Sequence, residues 1–254
     1  MEKPKLYCGK CEEVTPGFAD GSVDCIVTDV PFGVSFKSKR TDYDDSEEYV
    51  FGMIAMWYAE WVRLLKEDSY AFVFTGVNHI ERWIQSGKNA GLTFKNIIAT
   101  RSFNNSARVA RNFAFVLQPV LVFAKGKGRE LNNVDFFRTS DDWLNDKRNE
   151  AKNPYSYNYP NFIETKDGFG TEVFGANVAT RQWHPNAKNA KLCAFFIETA
   201  TERGERVFDP FMGCGTTGEA ALATERTFVG IEQSRKWYDV ASKRLANVMP
   251  LFQR

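Results

Sequence analysis

The segment Thr28–Gly33 ends an apolar stretch with a carboxylate, on Asp29, and an aromatic ring, on Phe32, with Val30 and Pro31 between them. A carboxylate accepts hydrogen bonds from an amine, and an aromatic ring offers a face on which a planar base can stack. Asp29, Val30, Pro31 and Phe32 are therefore candidates for binding an extruded nucleobase through its exocyclic amine. A strand-ending turn with Phe32 in the core explains the same residues equally well.

A second candidate site is the glycine-rich turn Gly213-x-Gly215-x-x-Gly218, followed by a predicted helix and a strand that ends near Glu232. This spacing is typical of a βαβ nucleotide-binding unit, in which the acid pairs with ribose hydroxyls. Asp209 precedes the turn and would repel a pyrophosphate, which disfavours a nicotinamide dinucleotide. A cofactor that carries positive charge, such as S-adenosylmethionine, suits this carboxylate better. A tight turn without a ligand is the weaker interpretation.

Both segments follow predicted strands in an alternating pattern of strands and helices. The predicted strands are Ser22–Asp29, Tyr70–Thr75, Lys95–Ser102, Phe113–Ala124, Arg206–Phe208 and Thr227–Ile231. The predicted helices are Tyr49–Lys66, Asn78–Asn89 (with Gly91 as its terminator), Lys191–Thr201, Thr216–Thr224 and Lys236–Asn247. This alternation predicts an α/β fold with a doubly wound, mostly parallel sheet. Ligands bind at the carboxyl edge of such a sheet.

Two stretches break the pattern. Residues 126–182 are rich in Asn, Asp, Tyr and Phe and show little periodicity. We interpret them as an irregular insertion within a single domain that spans residues 1–254. The polar stretch Phe36–Glu48 predicts a mobile loop.

Together the two candidate sites resemble the DNA amino-methyltransferases, which modify adenine N6 or cytosine N4. The order is the permuted one, in which the catalytic segment precedes the cofactor loop. The family's Asp/Asn/Ser-Pro-Pro-aromatic tetrapeptide falls on Asp29–Phe32, and its Phe-x-Gly-x-Gly loop falls on Phe211–Gly215. A His-Pro-Thr-Gln-Lys-Pro-like element begins at His184 and ends at Asn189.

The resemblance implies a Rossmann-like methyltransferase fold of the seven-stranded type, with S-adenosylmethionine as cofactor and double-stranded DNA as partner, in a restriction–modification setting. It implies that Asp29, Val30, Pro31 and Phe32 bind the target base, and that residues 126–182 recognise the target sequence. Asp29 favours adenine N6 over cytosine N4. The residues that the resemblance assigns to the cofactor are Asp209, Phe211, Gly213, Gly215, Thr216, Thr217 and Glu232, with His184 and Lys188 at its methionine end.

Three positions depart from the family pattern. Val30 replaces the first proline of the tetrapeptide and loses the fixed φ of that residue. Lys10 follows Gly9 where the family commonly has an Asp that contacts the cofactor adenine, and Asn189 replaces the last proline of the His-Pro element. These departures motivate a second hypothesis, a nucleic-acid-binding relative with weak or absent catalytic activity.

The charged residues are nearly balanced but unevenly placed. The 254 residues contain 33 Lys or Arg and 32 Asp or Glu, for a net charge of +1, yet Arg82–Arg129 holds nine basic residues and no acid. If this segment shares a face with Asp29, it forms a stripe that contacts DNA phosphates. The candidate DNA-binding residues are Lys37, Lys39, Arg40, Arg101, Arg108 and Arg111. Scattered solvated side chains are the alternative.

The remaining features bound the compartment and the partners. The sequence lacks an apolar run of 18 residues and an N-terminal signal stretch, so we expect a soluble, cytoplasmic protein with no membrane partner. Five cysteines argue against a secreted disulfide framework, and Cys8-x-x-Cys11 is only half a zinc site, so we expect no metal. Trp57 and Trp61 share a helix face and predict either core packing or a homodimer interface.

Overall fold

The computed structural model describes residues 2–35, 43–101, 117–132, 162–163 and 188–248. Within these ranges the chain alternates strands and helices. The strands are β1 (Lys5–Cys8), β2 (Val23–Asp29), β3 (Leu65–Phe74), β4 (Thr93–Arg101), β5 (Leu117–Ala124), β6 (Phe162–Ile163), β7 (Arg206–Asp209) and β8 (Thr227–Glu232). The helices are α1 (Cys11–Val14), α2 (Glu47–Leu64), α3 (Ile80–Asn89), α4 (Ala190–Ala200), α5 (Thr216–Ala223) and α6 (Arg235–Leu245), with a 3₁₀ turn at Thr15–Gly17.

The strands form one sheet in the order β1-β8-β7-β2-β3-β5-β4-β6. Every neighbouring pair is parallel except the two pairs that include β5, so β5 alone runs in the reverse direction. The two-residue β6 extends the edge of a sheet whose other seven strands have four residues or more. The predicted doubly wound, mostly parallel sheet of the seven-stranded type is confirmed.

Helices cover both faces of the sheet, because β2 and β3 are apolar on both sides. One core cluster packs α4, α5 and α6 against one face, where Phe196 stacks on Phe72 with ring centroids 4.7 Å apart. The other cluster packs α2 and α3 against the opposite face. Trp57 and Trp61 are 2% and 1% exposed in this second cluster, so the core interpretation of this pair is confirmed.

The predicted helices are all present, and most of their ends lie within two residues of the predicted positions. The helix α3 ends as predicted before Gly91, whose φ of 103° suits a residue without a side chain. The prediction was wrong about the start of β3, which begins at Leu65 and not at Tyr70, and it did not include β1.

Some expectations lie outside the described residues. Of the predicted insertion at 126–182, the structure describes only 126–132 and β6. The predicted loop is described only from Tyr43 onward, where Ser46 caps α2 by accepting a hydrogen bond from the Tyr49 N–H. All five cysteines are free thiols. No helix in the described parts of the chain is long and apolar enough to cross a membrane.

Candidate functional site

A cavity of about 580 Å³ opens at the carboxyl ends of β2, β3, β7 and β8. Its wall includes the Asp29–Phe32 segment on one side and the glycine loop with Glu232 on the other. The two motifs are separated by about 180 residues in the sequence, and the parallel sheet brings them to one edge. Both motifs therefore lie at the carboxyl edge of the sheet, where the sequence predicted them.

The base-binding candidates follow directly from β2. Asp29 is the last residue of the strand, and its Oδ1 atom is buried with no hydrogen-bond partner among the described residues. Burial raises the pKa of the Asp29 carboxyl, against the opposing effect of the nearby Lys188 ammonium. A buried acceptor without a donor is costly, so this atom is poised to accept a hydrogen bond from a ligand.

Val30 is held in a way that proline would not allow. Its N–H donates to the carbonyl oxygen of Phe74 at 3.3 Å, and its side chain is 2% exposed in the core. Proline has no N–H and would lose this hydrogen bond. A proline ring would fix the φ angle of this residue. In its absence, the hydrogen bond to β3 restrains the backbone at Val30.

Phe32 and Gly33 are fixed by two further contacts. A side-chain carbon at Gly76 would lie 3.3 Å from the Phe32 ring, so the absence of a side chain there lets the ring pack against backbone. Gly33, at φ 72°, donates its N–H to Oδ1 of Asp45, and the Ser35 N–H donates to the Asp45 carbonyl at 2.7 Å. Asp45 therefore holds the chain immediately after the tetrapeptide.

The glycine loop has the geometry that its spacing predicts. Gly213 and Gly215 adopt φ values of 53° and 82°, which side chains disfavour, and a side-chain carbon at Gly213 would meet no described atom within 4 Å. At Gly218 the same carbon would lie 2.6 Å from Phe228 and 2.7 Å from Leu245. Gly213 therefore faces open space at the cavity, Gly215 lies close to Ala241 and Leu245 of α6, and Gly218 lets α5 pack closely on the sheet.

Asp209 lies beneath this loop and is 3% exposed. Its Oδ1 accepts hydrogen bonds from the Thr28 hydroxyl at 2.7 Å and from the Phe211 N–H at 3.1 Å. Burial raises the pKa of Asp209 to about 6, although these donors and Thr217 act to lower it. Because Thr28 precedes Asp29, this hydrogen bond joins the glycine loop to the base-binding segment.

The opposite wall of the loop comes from β8 and the N-terminal segment. Glu232 accepts hydrogen bonds from the N–H groups of Gly213 at 2.9 Å and Ser234 at 2.8 Å. Lys10 is exposed and also lines the cavity. Glu12, two residues later, is a cavity carboxylate that accepts hydrogen bonds from the Tyr49 hydroxyl at 3.0 Å and the Trp57 indole N–H at 3.4 Å.

The sequence profile of a DNA methylase family, the N6/N4 methyltransferases, matches residues 23–243. The chain belongs to this family. The match includes both walls of the cavity and the insertion between them.

Among curated proteins, a relative of this methylase is the type II methyltransferase M2.MboI of Moraxella bovis, 23% identical over 98% of this chain and 89% of its own length. A solved structure of M1.HpyAVI in complex with SAM aligns with a TM-score of 0.65 and 22% identity, over 95% of this chain and 98% of that one. The structure of the cytosine-N4-specific PvuII DNA methyltransferase aligns with a TM-score of 0.69 and 16% identity, over 98% of this chain and 92% of that one. These likenesses show the Rossmann-like methyltransferase fold.

The cofactor of this methylase family is S-adenosylmethionine, and the described residues fit it. The open space at Gly213 leaves room for a ligand beside the loop. Glu232 lines the cavity at the end of β8, and a carboxylate is an acceptor of the kind that ribose hydroxyls require. Phe211 packs edge-on against Trp57 with centroids 5.0 Å apart, which gives the cavity a rigid aromatic wall.

The structure places Lys188 next to the Asp29 carboxylate, the candidate base-binding group. Its ammonium lies 2.8 Å from Oδ2 of Asp29, whereas the resemblance assigns it to the methionine end of the cofactor. Asn189, which replaces the family's proline, caps α4 by accepting from the N–H groups of Lys191 and Leu192. His184 lies outside the described residues.

The basic segment of the methylase divides between the two edges of the sheet. Lys88, Lys95 and Lys127 are exposed at the amino edge, opposite the cavity, where α3 and β5 end and β4 begins. Lys125 and Arg129 lie in the same turn, and Arg82 pairs with Glu47 at 2.6 Å. The expectation that the whole segment shares a face with Asp29 is therefore wrong, because antiparallel β5 carries its end to the other edge.

Of the candidate DNA-binding residues, Arg101 ends β4 at the cavity edge, and its side chain is not described. Lys37, Lys39, Arg40, Arg108 and Arg111 lie outside the described residues.

Sequence reasoning missed three supporting residues, namely Thr28, Asp45 and Arg244. Arg244 in α6 donates to the Cys214 carbonyl at 3.2 Å and the Thr216 hydroxyl at 3.1 Å, and it pairs with buried Glu219. It thereby ties the last helix to the glycine loop. Thr28 alone carried a sequence signal, since it adjoins the catalytic tetrapeptide. Asp45 and Arg244 act through tertiary contacts that spacing does not encode.

Proposed function

We propose that this methylase transfers a methyl group from S-adenosylmethionine to the exocyclic amine of a base flipped out of double-stranded DNA. Adenine N6 is the favoured target and cytosine N4 the alternative. The observation that carries the proposal is that Asp29 lines the same cavity as the glycine loop and has a buried Oδ1 without a hydrogen-bond partner among the described residues.

The tetrapeptide supplies the groups that hold the target amine. Oδ1 of Asp29 accepts one N–H of the amine, and the Val30 carbonyl accepts the other. These two acceptors direct the nitrogen lone pair toward the methyl donor. Phe32, packed against Gly76, stacks on the base and offsets part of the cost of unstacking it from the duplex.

When bound, S-adenosylmethionine supplies an electrophilic methyl group on a sulfonium. The glycine loop and Glu232 hold its nucleoside part, and the buried Asp209 keeps the loop beside Asp29 through Thr28. Acceleration comes mainly from the alignment of nitrogen and methyl carbon. The methylated nitrogen then releases its proton to solvent, so the site needs no strong general base.

The preference for adenine rests on Asp29, because cytosine-N4 relatives more often carry Ser at the first tetrapeptide position. Residues 126–182 are proposed as the target-recognition region of a single catalytic domain. They leave β5 at the amino edge of the sheet, pair through β6 with the carboxyl end of β4, and precede Lys188, which lines the cavity.

The test is incubation of the full chain with S-adenosylmethionine and DNA of mixed sequence, followed by mass spectrometry of the nucleosides. We expect N6-methyladenine. Asp29→Ala should lower turnover by a factor of about 100 or more, since it removes the acceptor, and Asp29→Asn should lose less, because its amide oxygen still accepts an N–H. Cofactor affinity, measured by titration calorimetry, should stay within a few-fold of the wild type.

Asp20→Asn is a matched control, because it makes the same chemical change at an exposed position ahead of the same strand. It should retain wild-type turnover. Equal activity of wild type and Asp29→Ala would refute the role of the tetrapeptide. Cofactor binding without any methylated base in the wild type would favour the weak nucleic-acid-binding relative instead.

A further inference from the structure

Lys188 contacts Oδ2 of Asp29, whereas the proposed acceptor of the base amine is the other oxygen, Oδ1. Its Nζ lies 2.8 Å from Oδ2 of Asp29, and the two side chains are 16% and 28% exposed. The other oxygen, Oδ1, is the buried atom without a partner among the described residues. The carboxylate is thus divided into one oxygen that Lys188 holds and one buried oxygen that has no hydrogen-bond partner among the described residues.

The Lys188 ammonium is itself confined. It lies 5.7 Å from the centre of the Phe32 ring and 5.8 Å from that of Phe74, within the range of cation–π attraction. The next residue, Asn189, begins α4 with its cap, so the backbone that carries Lys188 is anchored to a regular helix. Two rings, a carboxylate and a helix start therefore fix one ammonium group.

Of the other titratable groups around Asp29, Asp45 raises its pKa, whereas a tyrosine and a cysteine nearby are neutral. Asp45 from the loop before α2 and Asp209 from β7 are acidic neighbours, while Tyr43 and the Cys193 thiol face it from the loop and from α4. Among the described residues that act on the carboxyl, Lys188 is the one that favours its ionised form. An ionised carboxylate is the stronger acceptor for an amine N–H.

We propose that Lys188 is a positioning residue for the base-binding carboxylate: its ammonium fixes Oδ2 of Asp29 and keeps the group ionised, so that Oδ1 receives the target amine. The proposal rests on the proposed function for the identity of that amine. It differs from the cofactor-holding role that the family resemblance assigns to this lysine, and the two roles predict different measurements.

The test compares Lys188→Met, which keeps the length of the side chain without its charge, with Lys188→Arg, which keeps the charge. The measured quantity is kcat/KM for methyl transfer as a function of pH. With the ammonium removed, the carboxyl takes up a proton more readily, so the acidic limb of the profile in Lys188→Met should lie about one pH unit higher than in the wild type. At pH values below the acidic limbs of both proteins, kcat/KM of Lys188→Met should then be roughly tenfold lower than that of the wild type. Lys188→Arg should keep the limb near its wild-type position.

Lys10→Met is the matched control, because it removes a different lysine from the wall of the same cavity. It should leave the acidic limb in place. Cofactor affinity of Lys188→Met, from titration calorimetry, should remain within a few-fold of the wild type. A large loss of cofactor affinity with an unmoved limb would overturn the proposal in favour of the cofactor-holding role.

A direct readout does not depend on activity. NMR titration of the Asp29 carboxyl carbon, assigned by comparison with Asp29→Asn, should show a higher pKa in Lys188→Met than in the wild type. An unchanged pKa would refute the positioning role even if the wild type methylates DNA. If the Asp29 pKa is higher in Lys188→Met but the wild type makes no methylated base, the contact is upheld and the proposed function is refuted. Thermal unfolding of each variant checks that its fold is intact.

Discussion

Asp29 and Asp209 end neighbouring strands, yet the structure treats the two carboxyl groups differently. Asp209 is satisfied by donors from its own loop and from Thr28, and it is sealed from solvent. Asp29 has one buried oxygen without a hydrogen-bond partner in the described part of the chain and an ammonium at the other oxygen. Asp209 therefore stabilises the structure around the cavity, and Asp29 is the carboxyl that we propose contacts the substrate.

The buried Asp209 makes stability depend on pH in a defined direction. Its folded-state pKa is raised from 3.8 to about 6, so the folded state keeps a proton that the unfolded chain has already lost. As the pH rises from 3.8 to about 6, the unfolded state therefore becomes progressively more stable relative to the folded state. We expect wild-type stability to fall relative to Asp209→Asn, which does not titrate, by up to about 3 kcal/mol from pH 4 to pH 6.

The measurement is the free energy of unfolding of both proteins by chemical denaturation at a series of pH values. The difference between them should be constant above pH 6. A difference that stays flat across the acidic range, or that changes in favour of the wild type as pH rises, would contradict the raised pKa.

At the scale of elements, the closeness of α5 to the sheet depends on one glycine. A side chain at Gly218 would collide with Phe228 and Leu245, both part of the core. We expect Gly218→Ala to lower the free energy of unfolding by about 2 kcal/mol, because overpacking of a dense core forces its neighbours apart.

Gly52 in α2 provides the matched control, since it is also helical but is exposed, and an added carbon there meets no described atom within 4 Å. Gly52→Ala should raise stability by up to about 1 kcal/mol, the helix propensity gain alone. The two alanine variants are compared by urea denaturation. Equal shifts in the same direction would show that Gly218 is not a packing position.

The elements also show how far sequence reasoning reaches. The strands β2, β7 and β8 were predictable because they are short apolar runs bounded by turns, and the Gly213-x-Gly215-x-x-Gly218 spacing predicted the packing at Gly218. The start of β3 was not predictable, because buried Leu65 is followed by three polar, exposed residues, Lys66, Glu67 and Asp68, that interrupt the apolar pattern. The exposed edge strand β1 has no apolar pattern to detect.

The residues of the site were predictable in identity more than in role. The tetrapeptide and the glycine loop follow from local spacing, and both line the cavity. The pairing of Lys188 with Asp29 does not follow from local spacing, since it depends on how the start of α4 packs over β2. The hydrogen bond of Val30 to β3 is equally hidden, because strand order is set by tertiary packing.

At the scale of the whole molecule, the reversed direction of β5 divides the basic segment between opposite edges of the sheet. Lys88, Lys95 and Lys127 point away from the cavity edge, whereas β4 ends at that edge with Arg101. Net charge and even segment charge therefore do not identify a DNA-binding face. The direction of each strand decides which charges lie at the same edge as the cavity.

This division yields a matched pair of charge reversals. In the first variant Arg101, Arg108 and Arg111 become Glu, and in the second Lys88, Lys95 and Lys127 become Glu, so both change the net charge equally. We expect the first to weaken DNA binding at least tenfold and to reduce the slope of log affinity against log salt by up to about 3, about one per lost phosphate contact. The second should bind DNA within a few-fold of the wild type. Fluorescence anisotropy with labelled duplex over a range of salt concentrations measures both. Equal losses in the two variants would mean that only overall charge matters, and unchanged affinity in the first would exclude these arginines from the DNA interface.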